Sequence, residues 1–546
     1  MIKNYLKIAW RNLLKNKVYS FINITGLATG MAVALLAGLW IWDELSFNTN
    51  HDNQAQLAQV MLNQTSQGET YTDETIAMPL GDALRTNHAD DFKYVSLTSW
   101  NNDHIVALGT NKLPGAGRWV QADFPVMFTL DMIRGNRDAL KDPSSLLISA
   151  TFAKALFGND DPINKTVRLD NRLDMKVAGV YEDFPHNSSF YDTKLLLAWD
   201  NTENWLNKQT SWSNHCGLLF VQLKNDLGFD DVTDKIKNIP TPHIKDLKEE
   251  ILLHPFNKLN LYTEFENGKA AGGRIQFVWL FGIIAIFVLL LACINFMNLS
   301  TARSEKRAKE VGIRKAMGSL RGQLIGQFLS ESIIFAVLAF VLALVLVQLS
   351  LPFFNGLADK QMSIVWNNPL FWLLAVGFTL CTGIVSGSYP AFYLSKFQPI
   401  KVLKGIFRAG RFASLPRKAL VVVQFTVSIT LIIGTMIVFR QIQFAKDRPS
   451  GYTRNGLISV PLSEGLYGRY DAIRNDLLKT GVVENMAESS QSTAHFSNNN
   501  SIDWKGKDPE LVVYFRDVNV TPEFGKTVGW TISEGRDFSR DFPADS

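Results

Sequence analysis

The sequence predicts a membrane protein: an α-helical transmembrane bundle with five spans in this chain, carrying α/β or α+β extracytoplasmic domains. Three observations carry that prediction. Hydrophobic residues make up 47% of the 546 residues and charged residues only 19%, against ~25% charged in an ordinary soluble domain. The apolar residues are gathered into five long runs. Basic residues crowd the segments at alternate ends of those runs. The composition excludes a disordered tail and a collagen-like fibre. A net charge of +4 gives no ground for nucleic-acid binding. Cys216, Cys293 and Cys381 form neither a disulfide framework nor a metal-ligand spacing.

The elements follow in chain order. Residues 1–17 read as a basic amphipathic helix. Ile2, Leu6, Ala9, Trp10, Leu13 and Leu14 share one face, and Lys3, Lys7, Arg11 and Lys15 the other. Such a helix lies on membrane lipids at the inner surface. The first span covers residues 18–42. Its apolar run is longer than the 7–15 residues of a signal-peptide core and no small-x-small cleavage site follows, so it anchors the chain. Asp43 and Glu44 stop it. The other spans cover residues 275–300, 323–350, 369–394 and 419–440, each long enough to cross ~30 Å of hydrocarbon. The third begins with Gln327, Ser330, Glu331 and Ser332, so its inner end is expected to face protein or the interface.

Orientation follows from basic residues in short segments. Lys3, Lys7, Arg11, Lys15 and Lys17 precede the first span. Residues 301–322 carry Arg303, Lys306, Arg307, Lys309, Arg314, Lys315 and Arg321, with Glu305 and Glu310 their acidic residues. The basic loop 395–418 carries Lys396, Lys401, Lys404, Arg408, Arg411, Arg417 and Lys418. The N-terminus and both loops are therefore expected in the cytoplasm. Arg440, Lys446 and Arg448 run against this rule beside the fifth span.

Residues 43–274 contain no span and are expected outside the cytoplasm. Lys176–Val180 and Leu218–Leu223 read as strands, and Leu80–Thr86 and Thr151–Phe157 as helices. A second outside piece covers residues 446–546. Arg118–Arg134 and Arg516–Trp530 are weakly alike: a strand, an acidic or Thr-Pro turn, then Phe and a second strand. Together with the repeated order of span then domain, this suggests a duplication. The chain is expected to stop inside its second domain.

The segment after the second span carries the candidate site. Glu310 and Arg314 form an i,i+4 pair. Val311, Ala316 and Met317 are apolar among charges, and Gly312 permits close backbone approach. A short helix with an apolar patch and a charged rim suits docking to a cytoplasmic protein, or simply to lipid headgroups.

Three stretches carry a resemblance. Cys293–Ser332 resembles the signature of the FtsX/MacB superfamily of ABC-transporter permease subunits. Leu147–Phe190, with its Ala-x-x-Leu-Phe-Gly helix and Val-x-Gly-Val strand, resembles a MacB-like periplasmic core domain. Ser386–Ala391, with Pro399-Ile400 and Leu403-Lys404-Gly405, resembles the end of the family's fourth span. The match departs at Asn164, where the family usually has Gly, so the turn there is expected to be built differently. The resemblance implies an inner-membrane permease without cofactors of its own. A separate cytoplasmic ATPase binds ATP and Mg, docks on the helix between spans two and three, and drives motion of the periplasmic domain. By position, Glu310, Val311, Gly312, Ile313, Arg314, Lys315 and Met317 are the docking residues. An adaptor or a cell-wall hydrolase is the partner expected at the outer face.

An enzyme reading finds little support. No G-x-x-x-x-G-K-[ST] motif occurs, and Gly525-Lys526-Thr527 lacks a glycine at Val520. The eight histidines are scattered and form no H-E-x-x-H. Asn159-Asp160-Asp161-Pro162 reads as a turn rather than a calcium loop.

Overall fold

A computed structural model describes all residues except 1–10, 12, 67, 225–226, 245–246, 303–310, 396–414, 463–465, 494–498, 503, 509–512 and 546. The expected amphipathic helix and most of the 395–418 loop lie outside the described residues. The chain divides into two units. One comprises Met1–Ser46 and Gly273–Lys446; the other comprises Phe47–Gly272 and Asp447–Ser546.

The first unit holds five helices long and apolar enough to cross a membrane: Lys17–Leu45, Arg274–Ala302, Arg321–Ala358, Pro369–Ser395 and Lys418–Asp447. The third outruns its apolar core. At 1.5 Å per residue it reaches about 57 Å. Pro352 sits inside it, and it ends only where Asp359 turns left-handed at φ 50°.

Four of the helices pack through small residues, as helices do when lipid supplies no hydrophobic drive between them. A side chain at Gly30 would collide with Ala292 of the second helix. One at Gly383 would stand 3.0 Å from the Ile333 Cα of the third. Leu27, Ala28, Met31, Ala336, Ala339, Ala343 and Val347 form the shared core. Glu331 and Ser332 are buried among the helices, as their polarity within an apolar run predicts. The fifth helix buries none of its apolar window. Its described tie to the others is Asn298 Nδ2 donating to Gln424 Oε1 at 3.5 Å.

In the second unit, one 13-stranded mixed sheet organises residues 57–255. Six strands close on themselves. Leu195–Ala198 pairs antiparallel with Ser145–Ser149 and parallel with the end of Asn111–Val120, completing a ring through Leu173–Tyr181, Thr166–Leu169 and Asn102–Leu108. Closure removes an exposed edge. Val106, Ile148, Val167, Met175, Val177 and Leu197 share one core there with Phe152 and Leu156 of the helix Ala150–Phe157.

The sheet continues from Asn111–Val120 through Phe92–Thr98, His215–Leu223 and Leu57–Ser66 to Lys248–Pro255. The helices Pro79–Asn87 and Phe229–Ile236 pack on it through Leu80, Leu84, Val232 and Ile236.

Asn164 has φ 62°. This is the left-handed backbone that glycine favours and asparagine tolerates.

The two similar segments prove alike in a way the sequence reading mistook. Phe124 and Phe524 each open a short helix, Phe124–Met127 and Phe524–Val528, directly after an acidic residue. The strand expected next is present as Met132–Arg134 in the first. Among the described residues none follows in the second.

Candidate functional site

The candidate segment is helical over residues 311–316 and turns at Gly318, φ 95°. Residues 311, 314 and 315 share one face at helical spacing; residues 313, 316, 317 and 320 share another. The first face is spent inside the unit. Val311 is 2% exposed and packs with Leu324, Phe328, Ala391 and Leu394 of the third and fourth helices. Gly312 is buried beside it. Arg314 Nη1 donates to Gln327 Oε1. Lys315 Nζ donates to the Ser395 carbonyl at 2.6 Å, where the last carbonyls of the fourth helix lack intrahelical partners and attract a cation. Arg321 Nε reaches Ser395 Oγ at 3.5 Å.

The second face is open. Ile313, Met317 and Leu320 are 43%, 75% and 68% exposed, and Ala316 is exposed between them. The segment runs straight into the third helix, whose first turn is closed by Leu320 N donating to Gln323 Oε1 at 3.1 Å. Glu310, and with it the expected pair to Arg314, lies outside the described residues.

Beside this segment is a small polar nest inside the bundle. Tyr19 Oη and Ser300 Oγ are 2.7 Å apart. Glu331 and Ser332 line the same cleft with Phe296, Phe335 and Pro390. An ionisable side chain within a membrane bundle is costly and generally functional.

Sequence reasoning missed a third group, at the ends of the spans from which the chain continues into residues 47–272. Lys360 Nζ lies 2.7 Å from Asp43 Oδ2 and 3.0 Å from Glu44 Oε1. Arg274 Nη1 lies 3.6 Å from the same Glu44 oxygen. Asp43 and Glu44 had signalled only the stop of a span. The available clue was Lys360, a cation beside the long apolar third run.

The large domain uses its polar groups to hold its fold. Burial opposes the charge of Asp183, but hydrogen bonds from Thr151 N (2.8 Å) and Oγ1 (2.5 Å) and Lys194 Nζ (3.0 Å) outweigh it and hold the carboxyl below its usual range. Asp170, bonded to His104 Nδ1 (2.7 Å) and Ile105 N (2.8 Å), is lowered against burial in the same way. Burial lowers the Arg118 guanidinium to about 10; it lies 4.8 Å from the Phe190 ring centre. Among the described residues no three His, Cys, Asp or Glu side chains are placed to hold a metal ion.

Comparison with known proteins agrees with this architecture. The family described as MacB-like periplasmic core domain matches residues 20–239, and that described as FtsX-like permease C-terminal matches residues 282–399. Chlorobium luteolum has a macrolide export ATP-binding/permease protein MacB that is 27% identical over 299 residues, 54% of this chain and 40% of the relative. The chain thus spans about two fifths of the length of that relative. An ABC transporter permease of Methanocaldococcus jannaschii is 23% identical over 268 residues, 48% of this chain and 63% of the relative. Among solved structures, the periplasmic region of MacB from Actinobacillus actinomycetemcomitans aligns at 14% identity and TM-score 0.29, covering 38% of this chain and 91% of that one. With a MacB-like periplasmic core domain joined to an FtsX-like permease region, the chain belongs to the FtsX/MacB superfamily of ABC-transporter permeases.

Proposed function

We propose that this chain is the permease subunit of an ABC complex in which a separate cytoplasmic ATPase docks on the segment between the second and third spans. Its motion is carried to the periplasmic domain for export or extraction of a substrate at that face. The single observation that carries the reading is the division of labour in residues 311–320. Ile313, Ala316, Met317 and Leu320 offer an apolar outward strip, while Val311, Arg314 and Lys315 tie the segment to the third and fourth spans. Apolar contacts of this kind supply affinity, and charge supplies register and encounter rate. ATP and Mg belong to the partner; hydrolysis is its activity and not this chain's. The N-terminus is cytoplasmic in this reading.

Ile313→Asp and Met317→Asp should abolish co-purification of the ATPase while the chain still inserts in the membrane. Unchanged co-purification in both would refute the docking face. In a chain freed of its native cysteines, Asn102→Cys should react with a membrane-impermeant thiol label from the periplasmic side alone. Labelling from the cytoplasm would reverse the topology.

The alternative is a transducer that activates a periplasmic partner such as a cell-wall hydrolase without moving substrate. Pull-down of a hydrolase rather than an adaptor, with no substrate-stimulated ATPase activity, would favour it.

A further inference from the structure

Four charged side chains meet where three helix ends converge. Lys360, one residue beyond the left-handed end of the third helix, reaches Asp43 and Glu44 at the end of the first. Arg274, which opens the second helix, approaches the same Glu44 oxygen. The side chains of Glu44 and Lys360 are only 1% and 7% exposed. Charges buried this far from water cost free energy that close pairing must offset. Small residues already pack the helices closely, and a buried ion pair is by itself weak evidence for stability. The best-attested use of such a buried ionic group is to fix one register between elements.

Its place in the chain says which register. The third helix starts at Arg321, one residue past Leu320 of the proposed docking strip, and its far end carries Lys360. The chain leaves the first span at Glu44 to build the large domain and re-enters the second at Arg274. Glu44 therefore bridges a cation at the end of the third helix and a cation on the returning limb.

We propose that this cluster is the joint through which movement of the third helix is delivered to both limbs that carry the periplasmic domain, with Lys360 as its positioning residue. The inference rests on the docking reading above for the source of the movement. The joint itself is testable without it.

The test uses the chain with its co-purified ATPase in phospholipid nanodiscs. Spin labels at Trp42 and Leu357, 54% and 74% exposed, report the spacing of the first and third helices. A label at Ile133, 57% exposed, reports the domain. Asp43→Asn, Glu44→Gln and Lys360→Met together remove the three least exposed charges, leaving Arg274, whose side chain is 56% exposed, to water. Lys360→Gln serves if that triple variant fails to reach the membrane, and Lys360→Arg is the conservative control.

The wild type and Lys360→Arg should give one narrow 42–357 distance and an ATP-dependent change at residue 133. The neutral variants should broaden the distance and lose the change, with ATPase co-purification and hydrolysis unaltered. A narrow distance in the neutral variants, or an undiminished change at residue 133, overturns the proposal. Absence of a bound ATPase in the wild type would undo the docking reading instead, and the nucleotide-free 42–357 distance would still decide whether the joint exists.

Discussion

The periplasmic domain and the membrane bundle use the same residue types under opposite rules. In the domain, Phe124, Phe128, Phe190, Phe220 and Phe256 form one buried aromatic cluster with ring centres 4.5–5.9 Å apart. In the bundle, Trp279, Leu349 and Phe353 are 69–77% exposed, and small residues such as Ala28, Ala336, Ala339, Ala343 and Ser386 share the buried positions with larger ones such as Leu27 and Phe335. Water drives apolar bulk inward in the first case. Lipid removes that drive in the second, so close backbone approach does the packing. The lesson is that a fractional exposure has no meaning until the solvent is named.

The comparison can be broken in four ways, beginning with the largest effect. Phe128→Ala, at the centre of the aromatic cluster and 1% exposed, should cost the domain about 3–5 kcal/mol. Calorimetry should show one transition moving down while that of the bundle stays in place. A shift in both would mean that the units do not unfold separately.

A matched pair is sharper. Val341 in the third span and Ile133 in the domain are both 57% exposed. Val341→Asp should cost about 2.5–3.5 kcal/mol of membrane insertion. Ile133→Asp should change stability by no more than about 0.5 kcal/mol. Equal effects on yield and melting would sink the two-solvent account.

Gly387→Leu comes next. Its Cβ would stand 2.6 Å from Ser332 Cβ, and overpacking of this kind costs about 1–3 kcal/mol. Gly109→Leu, in the domain with nothing within 4 Å but φ 61°, should cost less, about 1–2 kcal/mol of backbone strain. Detergent melting curves of the two variants make the comparison.

The smallest effect is in pH. All eight histidines lie outside the five spans. Burial lowers His51 and His254 below the ordinary value of 6.5, against the raising effect of their backbone hydrogen bonds. The folded domain keeps them neutral, whereas the unfolded chain takes up protons below about pH 6.5. Their contribution is therefore present above that pH and is lost as pH falls towards the lowered folded values. The transition that Phe128→Ala identifies should soften between pH 7.5 and 5.5, and His51→Phe should flatten part of that slope. An equal softening of the bundle transition would contradict this account.

The sequence told more about the bundle than about the site. Span number, the strands at 176–180 and 218–223 and the helices at 80–86 and 151–157 were legible, because period and hydropathy are local. So was the burial of Glu331 and Ser332, since polar residues inside an apolar run must find protein. The short helices opened by Phe124 and Phe524 were misread as turns before strands. Four or five residues are too few to display a helical period.

What the sequence determined by itself was the kind of protein: the residues that meet lipid, the segments that stay in water and the family signature around the second and third spans. These depend on solvation over about 20 consecutive residues, a one-dimensional property. The tertiary structure alone decided that Leu195–Ala198 closes a ring, that Lys315 turns inward to Ser395 while Met317 turns out, and that Lys360 finds Glu44. Each joins residues far apart in the chain, and the partner of a buried polar group is fixed by whichever distant element arrives within hydrogen-bond reach. No local pattern encodes that arrival.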